Sequence, residues 1–427
     1  MPCRNLTLKA RTDRRFIRSP YRSNRFVLAQ VTAPHAHREE ARTRPPVNLA
    51  FVLDRSGSMA GDKIRLAKAA VEQSIARLGA DDRFAIVVYD NQIDVVFESS
   101  LASPSAKSAA IRALSLIGAR ESTNLGEGWL RGCEQVARYL AADGVNRCLL
   151  LTDGLANVGM TDHDELATHA GALRQRGVMT TTFGVGTDFD EELLQAMANA
   201  GGGNFYYIES EGQIVDYVTS EVGEALDVVA RDVELAVVVP EGVVVESLSP
   251  FPFSASGDGR TVVSLGSLVA EQVVEIVLRL NFPYGEIGRE SGAVVSLSAR
   301  DGEVDESGSV ALAWEYADSN RNDIQPRDVD VDRAVARVFA ARARQEAAAL
   351  NRRGDYLGAQ AALAAVAKRI RGYAGRDPEM RSLVGELESR FAEVSAPMPE
   401  MARKQMFVRS YNDFKTRMPD GKATRRA

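Results

Sequence analysis

From Val47 to about Val222, short apolar runs alternate with stretches of helical periodicity. The runs are VNLAFVL, RFAIVVY, IDVVFE, NRCLLLT and VMTTTFGV. Between the first two, DKIRLAKAAVEQSIARL places Ile64, Ala67, Val71, Ile75 and Leu78 on one helical face, and amphipathic segments recur up to EGQIVDYVTSEVGEAL. Such alternation predicts an α/β doubly wound, mainly parallel sheet with helices on both faces. IDVVFE follows RFAIVVY too closely for a crossover helix, so it is expected as an antiparallel edge strand.

The pattern changes on either side. From about Asp227 to Ala317 helical periodicity disappears, and DVELAVVV, GVVVESLS, RTVVSLG, EQVVEIVLRLNF, GAVVSLSAR and GSVALAWEY read as strands of a β-sandwich. NLTLKA and RFVLAQVTA, near the N-terminus, are β-prone; two strands alone are marginal, so they are expected to join that sandwich. The α/β domain is then an insertion between two pieces of one sandwich. PHAHREEARTRPP (34–46) is a polar linker. From Pro326 onward the chain reads as a C-terminal α-helical region: a close-packed hairpin turning at Arg353–Asp355, a third helix after Pro378 and a fourth over roughly Glu400–Arg417. The expected boundaries are 1–46 (N-terminal strands and linker), 47–226 (α/β domain), 227–318 (sandwich), 326–418 (helices) and 419–427 (tail).

Composition adds exclusions. The 427 residues, 45% hydrophobic and 26% charged, are ordinary for a soluble globular protein. No apolar run approaches the ~20 residues of a membrane helix. MPCRNLTLKARTDRRF lacks the apolar core of a secretory signal, so a cytoplasmic location is expected. Cys3, Cys133 and Cys148, odd in number and without C-x-x-C spacing, read as buried apolar thiols. The net charge of −6 conceals an asymmetry: residues 1–44 carry eleven Lys/Arg against three Asp/Glu, and residues 401–427 eight against two, which leaves the body strongly acidic. No nucleic-acid-binding signature accompanies these basic ends, and the expectation is that they lie on the acidic body.

The chemistry gathers where strands hand over to helices, the end of a parallel sheet at which ligands bind. NLAFVLDRSGSMAG ends a buried run at Asp54 and then presents Ser56 and Ser58. ESTNLGEG places Thr123 just before a helix, and LLLTDGLANVG ends a strand at Thr152 and Asp153. Each has a plain structural alternative: a turn with an N-cap, an N-cap threonine, a turn aspartate. D-x-S-x-S by itself arises by chance in roughly one chain in ten of this size; the junction placement of all three segments is what makes it informative. Two carboxylates and three hydroxyls, without Cys or His, form a hard all-oxygen site suited to Mg²⁺ or Mn²⁺, whose vacant position attracts a carboxylate from elsewhere.

D-x-S-G-S followed by a distant Thr and a distant Asp-Gly resembles the metal-ion-dependent adhesion site of von Willebrand factor type A domains, over about Val47–Leu226. The resemblance implies a six-stranded doubly wound sheet, a divalent cation held through Asp54, Ser56, Ser58, Thr123 and Asp153, and recognition of a protein partner whose acidic side chain completes the coordination. The flanking regions resemble bacterial multi-domain members similar to inter-alpha-trypsin-inhibitor heavy chains. One departure is the charged loop Arg120, Glu121, Ser122, where the family commonly has small residues. A charged loop there either alters metal affinity or supplies an internal carboxylate; in the second, less favoured alternative Glu121 occupies the open metal position, and Glu121→Ala would then tighten binding of an acidic partner.

An enzyme is not expected. His35 and His37 lie in the linker, and His163 and His169, six apart on a helix, diverge. There is no G-x-S-x-G elbow, no phosphate-binding G-x-x-x-x-G-K-[ST] loop and no G-x-G-x-x-G after the first strand. The reading is a non-enzymatic, metal-dependent protein-binding module or adaptor. The alternatives are a regulatory subunit of an ATPase or kinase/phosphatase system and, more weakly, a metal-dependent hydrolase. Nucleic acid and membrane partners are not expected. Phe407, Tyr411, Phe414 and Met418 fall at helical spacing among basic residues; the stripe reads as packing on its own domain, with docking on a partner as the alternative.

Overall fold

The computed structural model describes residues 5–35, 44–120, 123–300 and 308–426. The chain opens with β1 (Thr7–Thr12), β2 (Phe16–Arg18) and β3 (Ser23–Thr32). The alternating part follows: β4 (Val47–Asp54), α1 (Asp62–Arg77), β5 (Arg83–Tyr89), β6 (Ile93–Leu101), α2 (Pro104–Ser115), α3 (Leu125–Ala137), β7 (Val145–Thr152), α4 (His163–Gln175), β8 (Met179–Val185), α5 (Glu191–Ala200), β9 (Gly202–Ile208) and α6 (Ile214–Leu226). Then come β10 (Val228–Val238), β11 (Val244–Ser247), β12 (Phe253–Ala255), β13 (Arg260–Val269), β14 (Val273–Phe282), β15 (Glu290–Ser298) and β16 (Ser309–Ala317). The helices α7 (Ser319–Ile324), α8 (Val329–Arg352), α9 (Tyr356–Ala374), α10 (Pro378–Ser389), α11 (Phe391–Val394) and α12 (Glu400–Phe414) complete the chain. It divides into two compact units: residues 37–228, and residues 1–36 together with 229–427.

In the first unit the sheet order is β6-β5-β4-β7-β8-β9. β4 pairs parallel with β5 and β7, and β7, β8 and β9 continue parallel, while β6 is the antiparallel edge the short connection demanded. β4 and β7 are buried at every residue. This is the signature of strands covered on both faces, and it explains why VNLAFVL is continuously apolar instead of alternating.

In the second unit two sheets face each other, ordered β1-β3-β14-β11 and β12-β13-β10-β15-β16-β2. The core between them takes Val27 and Val31 of β3 and Ile276 and Leu278 of β14 from one side, and Val233, Leu235, Val295 and Trp314 from the other. The N-terminal strands therefore do complete the sandwich, β1 and β3 in one sheet and β2, paired parallel with β16, in the other. The outer face of β3 and β14 is covered too: Phe26, Leu28 and Val277 pack with Val331, Val335, Val338 and Phe414. That second layer accounts for FVLAQV being apolar on both faces.

α8 and α9 form the expected hairpin, packed through Ala336, Ala340, Ala343 and Ala347 against Ala359, Leu363 and Ala367. Gly354 takes φ +81° in the turn and Asp355 caps α9 by accepting from Gly358 N. Phe407, Tyr411 and Phe414 are buried while Met418 is exposed, so three of the four stripe residues pack within their own unit. The last residues are not a loose tail. Val273 N donates to Thr424 O at 2.9 Å, and Arg426 N to Glu271 O at 2.9 Å.

The basic N-terminal arm is paired within the same unit: Arg11 with Asp330 (2.9 Å), Arg18 with Asp323 (2.5 Å) and Arg15 with Glu315 (3.7 Å). Exposed pairs of this kind contribute about 0–1 kcal/mol each. Their effect is to occupy the positive charge rather than to hold the fold. Cys133 and Cys148 are buried free thiols; Cys3 lies outside the described residues. Among the described residues, no helix is long and apolar enough to cross a membrane.

Candidate metal centre

The winding of the α/β sheet reverses between β4 and β7, since the chain runs outward from β4 through β5 to β6 and then returns to the other side. A crevice forms above the carboxyl ends of the strands at such a reversal. Asp54 is the last residue of β4, and Asp153 directly follows β7. Both acids thus arrive at the crevice because each ends an apolar strand there.

Beyond Asp54 the chain makes one 3₁₀ turn, Gly57–Met59, with Met59 fully buried beneath it. Gly61 then takes φ +81° to launch α1. The loop carrying Thr123 is pinned by backbone: Arg120 N donates to Arg55 O at 2.6 Å, and Asn124 N to Asp90 O at 2.8 Å. Gly57 has little room for a side chain, because a Cβ there would lie 3.1 Å from the Arg120 carbonyl oxygen. α3 approaches the sheet so closely that a Cβ on Gly128 would enter the Tyr89 ring and one on Gly132 would enter Val52. LGEGWLRG is therefore the surface that seats α3, and with it Thr123.

The side chains are linked through one another. Asp54 Oδ1 accepts from Ser56 N at 2.7 Å, and Asp54 Oδ2 accepts from Thr152 Oγ1 at 2.6 Å. The hydroxyls of Ser56 and Ser58 lie 3.0 Å apart. Ser58 Oγ donates to Asp153 Oδ1 at 2.7 Å, and the other Asp153 oxygen takes Lys63 Nζ at 2.5 Å. Thr123 Oγ1 makes no hydrogen bond among the described residues, and the cap of α3 is Asn124 rather than Thr123. A single point gathers three of these donors: a Cβ built on Gly154 would lie 3.6 Å from Thr123 Oγ1, 3.9 Å from Ser58 Oγ and 4.0 Å from Asp54 Oδ2. Asp54, Ser56, Thr123 and Asp153 are buried, whereas Ser58 is exposed, so the cradle opens to solvent on the Ser58 side.

The electrostatics follow from that burial. Desolvation pushes the Asp54 carboxyl up to about 6, against the hydrogen bonds from Thr152 and Ser56 and with a further push from the charge of Asp153. Beside the cradle, Arg55 is buried and paired with Asp90 at 3.0 Å and Asp94 at 2.6 Å. It thereby lashes the D-x-S-x-S loop to the β5–β6 turn.

All five residues singled out in the sequence come together. Glu121 and Ser122 lie outside the described residues, so the alternative of an internal Glu121 carboxylate at the open position is neither supported nor contradicted. Three contributors were not singled out: Lys63, which reads in sequence as an ordinary polar position of an amphipathic helix; Thr152, which ends an apolar run; and Arg55, the variable position of the motif. Thr152 carried the clearest missed signal, a hydroxyl directly before Asp153 at a strand end. His163 pairs with Asp190 at 3.2 Å, and His169 is exposed.

Residues 48–220 match the von Willebrand factor type A family. This segment of the chain is a von Willebrand factor type A domain. YfbK of Escherichia coli (strain K12), an uncharacterised protein, is 32% identical over 219 residues, 51% of this chain and 37% of YfbK. Inter-alpha-trypsin inhibitor heavy chain H1 of Sus scrofa is 27% identical over 220 residues, 49% of this chain and 24% of that one. The chain thus spans well under two thirds of these relatives' length. The solved von Willebrand factor type A structure from Catenulispora acidiphila superposes with a TM-score of 0.76 at 19% identity, over 99% of this chain and 98% of that one. The ArnB paralog VWA2 from Sulfolobus acidocaldarius gives 0.62 at 16%, over 97% and 99%. The likeness of fold therefore takes in the flanking sheets and helices as well as the α/β unit. Von Willebrand factor type A domains are generally protein-interaction or adhesion modules, and they commonly bind a divalent metal.

Among the described residues, no three of His, Cys, Asp or Glu gather into a metal site. The donors here are two carboxylates and three hydroxyls around an open cradle, with the Lys63 ammonium already resting on one carboxylate. That set suits a divalent cation that accepts hydroxyl and water ligands.

Proposed function

We propose that Asp54, Ser56, Ser58, Thr123 and Asp153 of the von Willebrand factor type A domain hold Mg²⁺ or Mn²⁺, and that the loaded site grips an acidic side chain of a partner protein. The observation that carries this reading is the convergence of Thr123, Ser58 and Asp54 oxygens on one solvent-open point beside Gly154. Two carboxylates balance a dication's charge without enclosing it, and hydroxyl ligands donate weakly, which leaves the ion electrophilic toward a foreign carboxylate. The residues then act as a binding device. Relatives of this family are generally non-enzymatic, and the paired His163 is engaged by Asp190.

The test is a titration of the purified chain with Mn²⁺ and Mg²⁺, followed by affinity capture in magnesium or in chelator, for wild type and Asp54→Ala. The reading expects saturable 1:1 metal binding, loss of binding in Asp54→Ala without unfolding, and captured proteins that elute with chelator. Equal metal binding by the two proteins would reject it.

A further inference from the structure

We propose that Lys63 is a second, tethered cation of this site, which weakens the hold on the metal and in exchange makes the loaded site attract a carboxylate; the inference rests on the metal-site reading above. Lys63 is the second residue of α1 and its ammonium lies 2.5 Å from Asp153 Oδ2, the oxygen that Ser58 does not use. The placement is built in. Ile64, Ala67 and Val71 bury the adjoining face of α1, and Gly61 sets where the helix begins, so the tether reaches Asp153 as a consequence of helix packing.

The charge count then decides the behaviour. Asp54 and Asp153 contribute two negative charges and Lys63 one positive. Arg55 and Arg120 together add none, because Asp90 and Asp94 balance them: Arg55 pairs with both, and Arg120 lies 3.9 Å from Asp90. With Lys63 present, a dication enters a site of net −1 and leaves it at net +1, facing solvent through Ser58. Without Lys63 it would enter at −2 and leave the site neutral. Like charges a few ångströms apart in a partly buried site repel strongly, so Lys63 must lower metal affinity. The same positive charge must raise the affinity of the loaded site for an incoming carboxylate. An ordinary surface ion pair predicts neither effect, only a small change in stability.

The experiment uses the full chain, Mn²⁺ as the metal and acetate as the carboxylate probe, with calorimetry for the metal and water-proton relaxation of bound Mn²⁺ for acetate. Lys63→Met is expected to bind Mn²⁺ about tenfold more tightly, while acetate displaces metal-bound water about threefold less readily. Lys63→Arg keeps the charge and is expected to stay close to wild type in both. Thermal melts without metal identify any variant that fails to fold, and Lys63→Gln then replaces Lys63→Met. Unchanged or weaker Mn²⁺ binding in the neutral variants, with wild type binding normally, overturns the role of Lys63 and leaves the metal site standing. Absence of Mn²⁺ binding by wild type overturns both.

Discussion

Gly154→Ala isolates the metal site from the fold. The added methyl would meet its nearest neighbours at 3.6, 3.9 and 4.0 Å, ordinary van der Waals separations, and Gly154 does not occupy the left-handed region. Folding should therefore be unharmed, or gain about 0.4–1 kcal/mol from the stiffer unfolded chain. The same methyl takes the place toward which Thr123, Ser58 and Asp54 turn their oxygens. It displaces roughly the volume of one water, and with it at least one coordination position. Losing one such ligand should weaken metal binding about tenfold or more, or about 1.4 kcal/mol. The assay is paired: calorimetric titration with Mn²⁺, and thermal unfolding with and without the metal. Wild type at metal concentrations about a hundredfold above Kd gains about 2.7 kcal/mol of apparent stability, which the variant should mostly forgo. Gly128→Ala is the contrast, because its methyl collides with the Tyr89 ring and should cost about 1–3 kcal/mol. Wild-type Mn²⁺ affinity in Gly154→Ala would refute the placement of the ion, and a marked drop in its metal-free melting temperature would refute the steric reasoning.

Arg55→Met leaves Asp90 buried without its guanidinium and should cost about 3–5 kcal/mol in urea unfolding of the α/β unit, with Asp90→Asn restoring part of the loss; a variant as stable as wild type would mean that the pair contributes nothing. In the metal-free protein the Asp54 carboxyl sits at about 6 against an ordinary 3.8, so the folded state holds its proton more tightly than the unfolded state does. That contribution is fully present only below pH 3.8 and is lost as the pH rises through 6, a change of about 2 kcal/mol between pH 4 and pH 7. Denaturation in chelator at both pH values should show this slope in wild type, and Asp54→Asn should flatten it. Truncation after Pro399 removes Met406, Phe407, Tyr411 and Phe414 from buried positions, each worth about 1.5–3 kcal/mol. Circular dichroism should find the sandwich and helices of the shortened chain unfolded at 25 °C, whereas a cooperative, native-like melt would show that α12 is dispensable.

The main elements were legible because their signals are long and periodic. The antiparallel edge at β6 followed from a connection too short to hold a helix, and the sandwich strands from alternation such as that of β13 and β14. β2 and β12 escaped notice because three residues carry no period; β2 exists because β16 offers it a parallel partner, which only the tertiary structure supplies. The five candidate ligands could be picked out because each lies at a junction between a strand and a helix, positions the topology must bring to one end of the sheet. Lys63 and Arg55 were not, for a common reason. A basic residue in sequence reads as solvated, and whether it is instead spent on a buried carboxylate depends on how close two loops from distant strands come. The basic C-terminal stripe shows the same limit from the other side: its spacing allowed either packing or docking, and the burial of Phe407, Tyr411 and Phe414 decides for packing.

The insertion of the α/β unit between β3 and β10 has a cost during synthesis. β3 finds its neighbour β14 only after about 240 further residues have been made, which at ~5–20 residues per second leaves the first strands waiting about 12–50 s with an open edge. The inserted unit, whose own contacts are complete much earlier, can close while the surrounding sheet is still half built. A ribosome that slows past Leu226 would hold a chain with a finished α/β unit and a bare β3 edge, so slow translation of this protein should surface first as aggregation rather than as unfolding of the α/β unit.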